Sequence, residues 1–263
     1  MYRFLIIISF FITVVFGDNF INILEKDCNA SKTQSCITLG ELYEYQRPKK
    51  PQKSLEFYKR ACELKDIVGC RKLANIYING TVKNDYKKAL KLFKKACDKN
   101  DTISCNNLAW LYENSFGSKK KDYKKAIRLY KKVCRSNQTI GCLNLARIYQ
   151  QGKGIKKDYK KAIKLYKMAC KNKNMQACRD LAIMNIKGIG LKKSYKRGFQ
   201  LFKKACKNGD KISCIYLAWM YQNGYGVSKN RKIAKKIFEK ACLNGNKDAC
   251  KWLEKSFKKR SKR

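Results

Sequence analysis

The chain has 263 residues, with 62 lysines and arginines against 19 aspartates and glutamates, and therefore a formal net charge of +43 at pH 7. It contains 14 cysteines and no histidine. The absence of histidine excludes Ser-His-Asp and Cys-His catalysis and the usual zinc hydrolase sites, while so basic a surface favours anionic partners.

Residues 1–17 have the layout of a secretory signal peptide. Arg3 precedes an apolar run from Phe4 to Phe16, which is too short to span a bilayer comfortably. We expect cleavage near Gly17, no transmembrane segment after cleavage, and a secreted or periplasmic location. In such an oxidising compartment, paired cysteines form disulfides by default.

The cysteines fall into seven pairs, each with seven residues between its members. Successive pairs begin 34 to 37 residues apart, a period typical of a stacked solenoid. Metal binding is not expected, because the chain lacks histidine and any C-x2-C spacing. The pairs are Cys28–Cys36, Cys62–Cys70, Cys97–Cys105, Cys134–Cys142, Cys170–Cys178, Cys206–Cys214 and Cys242–Cys250.

Two disulfide schemes are compatible with this spacing. The residues inside each pair include turn formers, so a pair that flanks a bend can close locally. The alternative joins Cys36 to Cys62 and so on along the chain, which leaves Cys28 and Cys250 without partners. We favour local pairing because it uses all fourteen cysteines.

The second cysteine of each pair begins one predicted helix. Leucine stands three residues after it in all seven repeats, usually followed by a small residue. Seven residues after it, five repeats have tyrosine, whereas the other two have Asn185 and Phe257. Offsets of three, four and seven form one apolar face of an α-helix.

A second predicted helix ends at the first cysteine of the next pair. Aspartate, serine or asparagine stands twelve residues before that cysteine in five repeats and predicts an N-cap. In the first repeat Pro51 occupies the first helical position instead. The predicted caps are Asp85, Asp122, Asp158, Ser194 and Asn230.

Glycines stand between the two helices at Gly80, Gly152, Gly188 and Gly224, mostly within G-x-G. No strand precedes them, so we interpret them as helix C-terminal residues rather than as a phosphate-binding loop. The sequence therefore predicts an all-α fold, a right-handed α/α solenoid of six helix pairs with partial units at both ends. It would occupy residues 18–255, be monomeric, and precede a basic tail at 256–263.

The repeat from Cys142 to Cys170 resembles a Sel-one-like repeat, a relative of the tetratricopeptide repeat. With a C-x7-C pair in every repeat after a signal peptide, the chain is similar to the Helicobacter cysteine-rich proteins. Departures are the missing glycine turn of the first repeat, Arg231 in place of a tyrosine, and Asn185 in place of a core tyrosine. The matching residues are Cys142, Leu145, Ala146, Tyr149, Gly152, Gly154, Lys157, Asp158, Tyr159, Lys161, Ala162, Leu165, Tyr166, Lys167, Ala169 and Cys170.

The resemblance implies a secreted or periplasmic protein with disulfide-linked helix pairs and, for activity, penicillin binding and β-lactamase-type hydrolysis. The residues give this activity little support, because K-T-G and S-D-N motifs are absent. Ser118 with Lys121 is the least unfavourable nucleophile and base. Whether the chain is an enzyme and which residues would be catalytic stay open, and no cofactor is expected.

A non-enzymatic alternative is an interaction scaffold that binds through the first helices of the repeats, which line the concave surface of such solenoids. Positions two and five after the second cysteine vary strongly between repeats. Asparagine amides and arginine at these positions suit the binding of an extended backbone or a carboxylate. Tryptophan there suits a contact from which water is excluded. The bland interpretation is that these are ordinary exposed positions, with the tryptophans tucked against neighbouring helices. The candidate binding residues are Asn107, Trp110, Asn144, Arg147, Tyr216 and Trp219.

We expect the first four of these residues to lie together across two repeats, with Tyr216 and Trp219 as an aromatic patch beside them. The ligand would be a peptide, a peptidoglycan-like fragment, a β-lactam or a host protein. A third possibility is the binding of polyanions by the lysine-rich second helices, which would weaken steeply with salt.

Overall fold

The computed structural model describes residues 17–46, 48–79 and 84–257, and over these ranges the chain forms fourteen α-helices and no strand. The described helices have 11 to 13 residues, and none is long and apolar enough to cross a membrane. The helices are α1 (Gly17–Asn29), α2 (Thr33–Tyr45), α3 (Pro51–Glu63), α4 (Ile67–Asn79), α5 (Tyr86–Asp98), α6 (Thr102–Asn114), α7 (Tyr123–Arg135), α8 (Thr139–Gln151), α9 (Tyr159–Lys171), α10 (Met175–Lys187), α11 (Tyr195–Lys207), α12 (Lys211–Asn223), α13 (Arg231–Leu243) and α14 (Lys247–Phe257).

The boundaries predicted at the two ends fall near the edges of this description. The proposed signal peptide lies outside the described residues except for Gly17, where α1 begins. The last helix ends at Phe257, two residues beyond the predicted boundary at 255, and residues 258–263 of the tail are not described. Pro51 begins α3, as predicted for the first helical position.

The chain divides into two compact units, residues 1–132 (unit 1) and 133–263 (unit 2). In unit 1 each helix from α1 to α6 packs against the next, and in unit 2 the same holds from α8 to α14. The apolar faces of both helix types are buried, including the predicted leucines Leu73 and Leu181 and the small residues beside them. Each unit is thus a stack of helix pairs whose core lies between successive helices.

Local disulfide pairing is confirmed at all seven pairs. In each bridge the first cysteine lies in the last turn of one helix and the second in the first turn of the next, with Cα atoms 4.4 to 4.8 Å apart. No described cysteine is free. The bridges therefore fasten each repeat to its neighbour at the bend between them.

All five predicted N-caps of the second helices are confirmed. Asp158, for example, accepts a hydrogen bond from the backbone N–H of Lys161 at 2.9 Å and lies 3.0 Å from its ammonium. These contacts, the backbone hydrogen bond first, lower the pKa of Asp158. The ammonium of Lys161 also lies 5.5 Å from the ring centroid of Tyr149. The same arrangement of cap, lysine and tyrosine recurs at Asp85, Lys88 and Tyr77, and at Asp122, Lys125 and Tyr112.

The first helices also have N-terminal caps, which the periodicity of the sequence did not predict. Asp101 and Asp210 accept hydrogen bonds from the N–H groups of Ser104 and Ser213 at 3.0 and 3.1 Å. Because these residues belong to the bends inside the cysteine pairs, the sequence predicts them only as turn formers. The other caps of this set are Asp66, Asn174 and Asn246.

The glycines between the helices act as helix C-terminal residues. Gly152, Gly188 and Gly224 have φ of 72°, 71° and 76°, and each donates its N–H to the carbonyl four residues earlier. This left-handed conformation is unfavourable for residues with a Cβ atom. The interpretation of these glycines as helix C-terminal residues is confirmed at these three positions, while Gly80 lies outside the described residues.

A buried aromatic ring occupies the centre of each second helix, four residues before the first cysteine. It is tyrosine in three repeats, and each hydroxyl donates to a side chain of the preceding first helix at 2.7 to 3.0 Å. Burial, and then the charge of Glu44, raises the pKa of Tyr58, so that its hydroxyl keeps the proton it donates. The pairs are Tyr58 with Glu44, Tyr130 with Glu113, and Tyr166 with Gln150.

The repeat with Phe238 has a side chain that could accept this hydrogen bond but no tyrosine hydroxyl to donate it. Gln222 stands where Gln150 stands relative to Tyr166, and its Oε1 is buried with no hydrogen-bond partner among the described residues. We expect Phe238→Tyr to stabilise the protein by about 1 kcal/mol, because the new hydroxyl can donate to that oxygen. The measurement is the midpoint of urea unfolding of the oxidised protein.

The matched control is Phe93→Tyr. Its repeat has Ile78 at the acceptor position, so the new hydroxyl would be buried without this partner and should destabilise by about 1–3 kcal/mol. Shifts of the same sign and size in the two variants would contradict the proposed pairing.

Candidate functional site

The residues two and five positions after the second cysteine of each pair are called here the first-helix face. On this face, side chains of successive repeats contact one another. In unit 1 the ammonium of Lys72 lies 2.7 Å from Glu41 Oε1, and the amide of Asn107 donates to Asn75 Oδ1 at 3.4 Å. In each case the residue at position five of one repeat meets position two of the next. The chemistry of the two members is complementary, so these variable positions set contacts between repeats.

Arg147 follows the same rule in unit 2. Its guanidinium binds Asp180 Oδ2 through Nε at 2.9 Å and Nη2 at 2.8 Å. Asp180 also lies 3.9 Å from Arg179, which in turn binds the helix cap Asp210 at 2.6 Å. Arg179 is only 9% exposed. The carboxylate that we expected Arg147 to hold is therefore present within the chain.

The two tryptophans predicted to bind a ligand, Trp110 and Trp219, belong to equivalent stacks of three aromatic rings, called here the aromatic triads. Trp110 lies 4.9 Å from Phe116, which stacks on Tyr86 at 4.7 Å. Trp219 lies 4.8 Å from Tyr225, which stacks on Tyr195 at 4.7 Å. The middle ring comes from the segment between two helices, and the outer ring is the first residue of a second helix, α5 or α11.

The triads show which rings the two tryptophans pack against. Each tryptophan contacts a ring from the connecting segment of its own helix pair, and that ring stacks on the first residue of the second helix of the preceding repeat. Trp110 keeps 38% of its surface exposed. Phe116 and Tyr225 were missed, although both stand eleven residues after the second cysteine, and this shared offset was the available signal.

Tyr216 does not share a ring stack with Trp219. It stacks on Phe202 of α11 with ring centroids 4.8 Å apart and an interplanar angle of 8°. Asn144 is half-buried on α8. Asn107 and Trp110 lie in unit 1, whereas Asn144, Arg147, Tyr216 and Trp219 lie in unit 2. The expected cluster of Asn107, Trp110, Asn144 and Arg147 spans both units and stays a prediction.

Ser118, the candidate nucleophile for β-lactam hydrolysis, lies in the turn after α6. The hydroxyl of Ser118 donates to the backbone carbonyl of Lys120 at 3.1 Å, which is a neutral acceptor rather than an amine base. Within 17–46, 48–79 and 84–257, no group of three or more cysteine, aspartate or glutamate side chains is placed to hold a metal ion. The chemistry available on the first-helix face is that of binding through amides, ion pairs and aromatic rings.

The Sel1 repeat model matches six consecutive segments of the chain, residues 33–66, 67–101, 102–137, 139–174, 176–210 and 211–246. The chain belongs to the Sel1 repeat family. These segments correspond to the six helix pairs from α2 to α13, with α1 and α14 outside them. None of the curated proteins compared matches the chain.

Solved structures of other Sel1 repeat proteins are similar to it. The Sel1 repeat protein from Oxalobacter formigenes is 26% identical, with a TM-score of 0.74 over 85% of this chain and 89% of that one. The protective antigen c5321 of uropathogenic Escherichia coli, which displays an SLR fold, is 24% identical with a TM-score of 0.75 over 89% of this chain. The match covers 52% of c5321, so the chain spans about half the length of that protein.

Cysteine rich protein B of Helicobacter pylori is 36% identical over 52% of this chain and 98% of its own length, with a TM-score of 0.42. The predicted resemblance to the Helicobacter cysteine-rich proteins is confirmed by this sequence identity together with the Sel1 repeats.

Proposed function

We propose that this chain is an exported, non-catalytic interaction scaffold that binds an extended peptide segment of a partner protein on its first-helix face. The observation that supports it most is the pair of aromatic triads. Each triad holds a tryptophan in a preformed stack, and Trp110 remains 38% exposed. Aromatic rings that are already ordered offer large contact area at a low entropic cost of binding.

The ladder of paired polar residues has a complementary role in this proposal. Because Glu41 with Lys72 and Arg147 with Asp180 satisfy one another, each pair keeps the face rigid within its own unit. Binding energy would then come from the tryptophans, as in the few dominant residues of other interfaces. Export is part of the proposal, because seven disulfides require an oxidising compartment to form and persist.

The test begins with a phage library of random 12-residue peptides selected against the immobilised, oxidised protein. A selected peptide is then synthesised and its affinity measured by isothermal titration. We expect Trp110→Ala or Trp219→Ala to weaken binding at least tenfold, since truncating a dominant aromatic contact costs about 2 kcal/mol or more. Ile233→Ala, which removes an exposed apolar side chain from the second helix α13, is the control and should leave affinity unchanged.

Two results would contradict the proposal. One is peptide binding that both tryptophan variants retain at the strength of the control. The other is saturable nitrocefin turnover by the oxidised protein, abolished by boiling and by Ser118→Ala, which would establish the β-lactamase-type activity that the resemblance implies.

A further inference from the structure

A groove of about 820 Å³ opens in unit 2 between α9, α10 and α11, on the side formed by the second helices rather than on the first-helix face. One departure from the repeat lies in its wall. Five repeats have tyrosine seven residues after the second cysteine, and this one has Asn185. The Asn185 amide folds back and donates to Leu181 O of its own helix at 2.9 Å. Asn185 therefore lines the groove with a smaller side chain than the tyrosine of those repeats.

A second departure exposes a charge to the same space. In three other repeats the lysine three residues after an aspartate cap binds that aspartate and covers the tyrosine ring. Here the cap is Ser194, which is neutral, and the third residue after it is Arg197. With neither an aspartate cap nor the tyrosine ring to engage it, the exposed Arg197 side chain lines the groove.

The groove combines a cationic rim with an apolar floor. Its basic lining residues are Lys160, Lys167, Lys171, Arg197 and Lys204, and none of its lining residues is acidic. The ammonium of Lys204 donates to the carbonyl of Cys170 at 3.3 Å, which fixes one cation at the rim. The floor is formed by Ile163, Leu181, Leu191 and Leu201.

We propose that this groove binds a small amphiphilic anion, a molecule with one or two negative charges on an apolar body. The volume lies in the range of sites that enclose ligands of drug-like size. The rim would attract the charge, and the absence of lining carboxylates leaves these cations without competition from within the groove. The floor would take up the apolar part, which distinguishes such a ligand from inorganic phosphate or a fully hydrated polyanion.

The probe is 1-anilinonaphthalene-8-sulfonate, an apolar monoanion whose fluorescence reports binding to the oxidised, folded protein. We expect Asn185→Tyr to weaken binding at least tenfold, because the larger ring would occupy part of the groove beside Leu181 and Arg197. Circular dichroism should show an unchanged helix content in this variant.

Lys160→Gln with Lys167→Gln tests the charge without filling the groove and should weaken the probe several-fold. The matched control is Lys87→Gln with Lys94→Gln, which removes the same charge from the equivalent positions of α5, where the following first helix, α6, keeps its tyrosine at Tyr112. This control should bind as the parent does. If Asn185→Tyr fails to fold, this pair of variants decides the question.

Displacement of the probe identifies the ligand class. Decanoate should displace it, whereas inorganic phosphate and the neutral decyl maltoside at the same concentration should not. Displacement by phosphate as effective as by decanoate would reduce the site to one for simple anions and overturn the proposal. Probe binding that is the same in the parent, Asn185→Tyr and the lysine variants would overturn it as well. These outcomes leave the peptide-binding proposal untouched, because the groove and the first-helix face share none of these side chains.

Discussion

Reduction of the seven disulfides is expected to unfold the helical repeats at room temperature. Each bridge closes a loop of nine residues, such as Cys170 to Cys178, and so stabilises the folded chain by about 2.5 kcal/mol in the chain-entropy model. Because repeats contact only their neighbours, these contributions add to about 18 kcal/mol. That sum exceeds the total stability of about 5–15 kcal/mol that is usual for a domain.

Far-UV circular dichroism before and after treatment with a phosphine reductant measures the effect. The expected result is loss of most helical signal and of the cooperative thermal transition. Alkylation without reductant is the control, because the described part of the chain has no free thiol to modify. A reduced, alkylated protein that kept its helix content and melting temperature would show that packing alone holds the repeats.

Removal of the Asp210 side chain is expected to destabilise the protein strongly. Asp210 caps α12 and binds Arg179, and the two side chains are 14% and 11% exposed. Asp210→Ala should destabilise by about 3–5 kcal/mol, because it leaves a buried guanidinium with only the longer contact to Asp180 and removes a helix cap. Asp210→Asn should cost distinctly less, because asparagine caps the equivalent helices at Asn174 and Asn246.

Chemical unfolding of the oxidised variants measures these differences. Asp66→Ala is the matched control, since Asp66 caps α4 in the same way but accepts its second hydrogen bond from the hydroxyl of Thr33. Its loss should cost about 1–2 kcal/mol, as for an ordinary cap. An equal loss in Asp66→Ala and Asp210→Ala would mean that the ion pair with Arg179 adds nothing to the cap.

The elements that sequence predicted correctly depend on interactions between residues that are close in the chain. The cap of α9 needs only Asp158 and the N–H three residues on, and the turn after α8 needs only a residue that tolerates positive φ at Gly152. The local disulfides follow from the same short range, because the bend between two cysteines brings their Cα atoms within 4.8 Å. Spacing along the chain contains this information directly.

The surface was predicted less well because its residues interact across repeats. Arg147 and Asp180 are 33 residues apart, and no pattern within either repeat shows that each is the other's partner. The sequence predicts Trp110 and Trp219 as ligand contacts, but not that they pack on the rings of Phe116 and Tyr225. Their exposure depends on rings that the helical pattern does not include.

Asn185 shows most plainly what the sequence determines and what only the tertiary structure determines. Its departure from the repeat is visible in the chain, and the repeat alone established the helix pairs, the bridges and the family. That a groove lies beside it, and that Arg197, Lys160 and Lys204 from two other helices line this groove, was decided only by tertiary packing. The physical reason is range: helix formation, capping and local bridges act over a few residues, whereas a cavity depends on the summed volume and charge of side chains from several helices.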